Sequence, residues 1–158
     1  MQSIPFAIGS LMMSGALLVA SSQPAHSQDF VSLGAAGTAA YDRGAGSGLS
    51  AVTLSEKTNC VAHWLEWYLG YEQAHTSQTL LSQLPDDLGS EQSREIATAW
   101  FMHVKDLYVK RDDNDAEMVS ALARIRPALK KQVQTAVAGD EKLLTGITEV
   151  LGTCKTPK

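Results

Sequence analysis

The chain is short of the residues on which most catalysis and nucleic-acid binding depend. Its 158 residues hold only two cysteines and four histidines, and 13 Lys and Arg are outnumbered by 17 Asp and Glu, a formal charge of −4. A protein that neutralises phosphates carries a basic excess, so this balance argues against nucleic acid as a partner and against an anionic membrane surface. Gly-x-Ser-x-Gly, His-Glu-x-x-His, a phosphate-binding loop and Cys-x-x-Cys-His are all missing, which removes the motifs for nucleophilic, zinc-dependent, nucleotide and covalent-haem chemistry. Cys60-Val61-Ala62-His63 supplies two ligands where structural zinc takes four, so no metal and no cofactor are expected. No alternating or βαβ pattern competes with helical periodicity, and the fold class is all-α.

What the chain does have is concentrated in one stretch. Cys60 to Tyr71 holds four of the seven Trp and Tyr residues. On a helix, Cys60, Val61, Trp64, Leu65, Trp67, Tyr68, Leu69 and Tyr71 sweep an arc of roughly 200°, while Asn59, His63, Glu66 and Gly70 occupy the remainder. So wide an apolar arc calls for two or more neighbours and marks the core helix. Glu72 falls inside the arc and reads as a frayed end turned to solvent, because carboxylates are seldom buried unpaired.

Residues 1–27 read as an export signal: Ile4 to Ala20 is almost free of polar groups, and Ala25-His26-Ser27 places small residues before a cleavage ahead of Gln28. Met1-Gln2-Ser3 departs from the pattern by lacking Lys or Arg. The apolar run is shorter and more broken than the ~20 residues of a membrane span, so no stable insertion is expected after cleavage, and the destination is the periplasm or the exterior. Residues 28–52 have the Gly/Ala/Ser composition of a flexible, disordered lead. Asp29 to Leu33 alone could form a strand or dock on the bundle. In an exported chain Cys60 and Cys154 are expected to form a disulfide.

The helical domain is expected over 53–154, with 155–158 as a tail. Thr53-Leu54-Ser55-Glu56 matches a capping box, and the helix that follows runs to about Gln73. After a connection with a turn or two near Leu80 to Leu84, Ser90 and Glu91 open a second helix. Its stripe is Ile96, Ala97, Trp100, Phe101, Val104, Leu107 and Tyr108. The acidic loop Arg111 to Asp115 lacks the glycine and bidentate Glu of an EF-hand and reads as the start of a third helix. That helix carries Met118, Leu122, Ile125, Leu129, Val133 and Ala136, keeps phase through Pro127, and is therefore kinked there rather than broken. Arg124, Arg126, Lys130 and Lys131 read as its solvated face. Gly139 and Asp140 separate it from a last helix with Leu143, Leu144, Ile147, Val150 and Leu151. Four such helices make an antiparallel up-and-down bundle that brings Cys154 back to the start of the first, where Cys60 lies.

Function is expected to be non-catalytic binding of another envelope or secreted protein, as an inhibitor, immunity factor, chaperone or accessory. The alternative is a ligand-binding bundle with a pocket formed by His63, Trp64, Trp67, Tyr71, Glu72, Trp100, His103 and Tyr108. A site assembled only by the fold, such as His63 with Glu66, would make it an enzyme.

Overall fold

In the computed structural model, which describes residues 25–74, 77–111 and 115–157, the chain is a small all-helical bundle. Its elements are α1 (Ala25–Gly46), α2 (Leu54–Gln73), α3 (Gln78–Leu81), a 3-10 turn (Asp86–Leu88), α4 (Ser90–Lys110), α5 (Asp115–Val137) and α6 (Glu141–Thr153). No strand occurs among the described residues. Helix α2 is central, packed against α4 and α5, while α6 lies on α5 and α1 covers α6. No described helix is long and apolar enough to cross a membrane. The export signal assigned to residues 1–27 falls outside the described residues, apart from the last three.

The capping signals at the starts of α2 and α6 hold. The Thr53 hydroxyl accepts from the Glu56 amide at 3.2 Å, and the Glu56 carboxylate accepts from the Thr53 and Val52 amides at 2.9 Å. These bonds satisfy otherwise orphaned donors and hold the Glu56 carboxyl below its usual range. Asp140 caps α6 by accepting from the Leu143 amide at 2.9 Å. The reversal before it needs Gly139, whose φ is +114°. Ser90 is not the cap of α4 but its first residue, Gly89 taking the cap position, and the Ser90 hydroxyl donates to Glu72, which is exposed. Helix α5 is continuous through Pro127. That proline is exposed, so the carbonyl it leaves without an amide can turn to water.

The flexible lead expected over 28–52 is corrected: residues up to Gly46 are helix, and only 47–53 are irregular. Its glycines are contact points rather than hinges. A Cβ at Gly44 would strike the Glu149 carbonyl, and one at Gly152 would strike the Tyr41 carbonyl, so α1 and α6 meet backbone to backbone where small residues permit it. Phe30 and Leu33 dock on the core, as the docking alternative for Asp29 to Leu33 requires. The Tyr41 hydroxyl donates to Asp87 Oδ2 at 2.8 Å, and Lys155 Nζ reaches the same oxygen at 2.7 Å. Burial and the Asp87 carboxylate push the Tyr41 hydroxyl far above its ordinary pKa. Lys155 leads the causes that lower Asp87.

The core is anchored by three tryptophans, each at most 1% exposed. Trp64 and Trp100 both donate their indole N–H to the Cys154 carbonyl, at 2.8 and 2.5 Å, and Trp67 donates to the Leu88 carbonyl at 2.9 Å. Both lone pairs of the carbonyl that ends α6 are thereby used. Cys154 is bonded to Cys60 with a Cα separation of 5.5 Å. The end of α6 is thus fixed to α2 covalently, and to α2 and α4 by hydrogen bonds.

Candidate functional site

The face of α2 assigned to solvent by its own periodicity is the face that meets α5. Glu66 is 2% exposed and pairs with Arg126 Nε at 2.5 Å, which supplies the opposite charge a buried carboxylate requires. Gly70 receives Val133, which would meet any Cβ placed there. The Glu66 carboxylate offered with His63 as a fold-assembled site is thus committed to Arg126. His63 Nδ1 lies 2.8 Å from the Asn59 carbonyl. A carbonyl only accepts, so this nitrogen carries the proton. Burial lowers the His63 pKa, and the bond to Asn59 offsets part of that.

His103 packs its edge on Trp100, with ring centroids 6.0 Å apart, and its Nε2 is 3.2 Å from Lys57 Nζ. Burial, with the Lys57 charge second, lowers its pKa too. A histidine depressed in the folded state binds fewer protons than its unfolded counterpart just below pH ~6.5. Stability is therefore complete above that pH and falls as pH drops through the lowered values. Thermal midpoints measured from pH 7 to 5 are expected to fall with acidity, with a shallower fall in the His63→Gln/His103→Gln double variant. An unchanged slope in that variant would assign the effect to other groups.

Of the residues proposed for a pocket, Trp64, Trp67 and Trp100 fill the core with their polar atoms satisfied internally. Tyr71 is half-buried against the core and Glu72 is exposed at the end of α2. Of the proposed set only Tyr108 lines a surface hollow described below. One hollow, about 260 Å³, is a groove between α2 and α4 lined by Val61, Leu65, Tyr68, Arg94, Ala97, Thr98 and Phe101. Val61, Leu65 and Tyr68 follow 4 and 3 spacings along α2. The residues from Arg94 to Phe101 follow 3, 1 and 3 along α4, so each set is one helix face. Val61 and Ala97 form the buried floor, while Phe101 is 37% exposed on the wall and Met102 is 53% exposed one turn beyond Thr98. Arg94 is exposed at the rim, and its guanidinium has no partner among the described residues. Periodicity assigns Phe101 to the core stripe of α4. It lies at the edge of that stripe next to Arg94 and Thr98, and this was the available sign that the wall is open.

A second hollow, lined by polar and apolar groups in similar measure, lies where the first turns of α2 meet Tyr108 of α4 and the Ala121 to Ile125 turn of α5. No group of three or more His, Cys, Asp or Glu among the described residues is placed to hold a metal ion. Compared with family models, with curated proteins and with solved structures, the chain matches none of them.

Proposed function

We propose that the protein is exported and acts without catalysis, by binding another protein in the groove between α2 and α4. The observation that carries this reading is the exposed wall of Phe101 beside Leu65 and Tyr68, closed at one rim by an unpartnered Arg94. An apolar trough flanked by two parallel ridges of side chains accepts one face of an amphipathic helix, whose anchors recur every three or four residues. The arginine selects a partner helix with a carboxylate next to its apolar anchors, since a guanidinium pairs best with a planar acid. The Cys60 to Cys154 bridge suits an oxidising compartment.

The test is native mass spectrometry of the protein recovered, without reductant, from the exported fraction of the organism that makes it. A complex with a second polypeptide is expected for the natural chain. The Phe101→Asp and Arg94→Glu variants are each expected to lower its abundance by about tenfold or more, as loss of an interface anchor does. Both residues are exposed, so the variants should keep the helical circular dichroism of the parent. A complex that survives both substitutions would remove the groove from the binding surface. A bare monomer in the natural sample would remove the reading altogether.

A further inference from the structure

The crevice where α2, α4 and α5 meet at Tyr108 shares no lining residue with the groove and has its own chemistry. It encloses about 470 Å³ and is lined by Leu54, Ser55, Thr58 and Asn59 from α2, Tyr108 from α4, and Ala121, Arg124 and Ile125 from α5. Thr58 is spent, its hydroxyl donating to the Leu54 carbonyl at 2.8 Å. The rest of the polar set is not. Tyr108 is only 8% exposed, yet its hydroxyl makes no hydrogen bond within the protein. Among the described residues no buried side-chain polar atom is left unsatisfied, so that hydroxyl keeps its access to solvent, and the crevice is the opening it lines. Arg124 is exposed on the same wall, and its guanidinium has no partner among the described residues. The Asn59 side chain is equally uncommitted.

We infer that this crevice is a binding site for a small organic monocarboxylate. Arg124 supplies the planar pair of donors that a carboxylate matches. The Tyr108 hydroxyl and Asn59 amide supply further donors from the facing helices, and Leu54, Ala121 and Ile125 supply an apolar bed for the body of the molecule. The charge count favours a single negative charge, because Arg124 is the one cation in the lining. The site does not depend on the partner-binding reading of the groove, because the two share no residue.

The test is a titration of the disulfide-bonded protein with benzoate, followed by two-dimensional amide NMR, with benzyl alcohol and inorganic phosphate as parallel probes. Benzoate is expected to give saturable shifts centred on Asn59, Tyr108, Ala121 and Arg124. Arg124→Gln is expected to weaken binding by about tenfold, as loss of a charge-assisted bond does, and Tyr108→Phe by a smaller factor with the ring still in place. Lys131→Gln, which removes a charge from the same helix outside the crevice, should leave the titration unchanged. Benzyl alcohol binding as tightly as benzoate would overturn the inference, as would phosphate shifting the same amides equally. Equal losses in Arg124→Gln and Lys131→Gln would also overturn it, by showing only general attraction to the basic half of α5.

Discussion

Replacing both cysteines in a Cys60→Ala/Cys154→Ala variant is expected to lower stability by about 4 to 5 kcal/mol and the thermal midpoint by something like 15 °C. The bridge spans 94 residues, so cutting it releases a long loop, and the entropy regained belongs to the unfolded chain. The native state should change little. The Cys154 carbonyl is a backbone group, and it continues to accept from Trp64 and Trp100 whatever side chain residue 154 carries. Tryptophan fluorescence of the folded variant should therefore match that of the parent below the transition. A displaced native spectrum would mean that the bridge, and not the two indoles, holds the end of α6 in place. An unchanged midpoint would show that the unfolded chain already keeps residues 60 and 154 close.

The second large effect is expected at Gly152. Its missing side chain is where the Tyr41 carbonyl and the Ala45 amide of α1 approach α6. These are backbone atoms of a helix and cannot turn aside as a flexible side chain would. Gly152→Val should force the two helices apart at a cost on the order of 3 kcal/mol or more, at or above the upper end of ordinary overpacking. Helix propensity works in the opposite direction, since valine is a few tenths of a kcal/mol better than glycine inside a helix. The loss is therefore specific to the α1 contact. Amide hydrogen exchange separates the outcomes. Residues 33–46 are expected to lose protection while the amides of α2, α4 and α5 keep theirs, because α1 packs mainly on α6 and α3. Uniform loss of protection would mean that α1 is integral to the bundle, and no loss would mean that the helices can slide past the added methyls.

Helices α2, α4, α5 and α6 were legible in the sequence because each carries an apolar stripe in phase with its own turn and a punctuating residue at its end. The bridge was legible because two cysteines allow only one pairing. Helix α1 was not, for a physical reason. Glycine and alanine runs describe both a linker and a helix that presses its backbone on a neighbour, and only the partner surface on α6 tells them apart. Glu66 was misplaced for a similar reason. A helical wheel knows which side of α2 is polar, but it cannot see that Arg126, sixty residues later, makes that side fit to be buried. The candidate sites were hidden one level deeper. Phe101 looks like core on its own helix, and the crevice exists only because Asn59, Tyr108 and Arg124 converge from three helices.

The groove between α2 and α4 is the central functional claim, and site-specific crosslinking in the producing organism tests it most directly. A photoreactive phenylalanine analogue would be placed at Thr98, which lines the groove, and for comparison at Gln132, which is exposed on α5. Thr98 is expected to give one discrete adduct with a second polypeptide. Adding Phe101→Asp should abolish that adduct, and Gln132 should give none. No adduct at Thr98, or the same adduct from both positions, would contradict the claim that this groove is where the protein meets its partner.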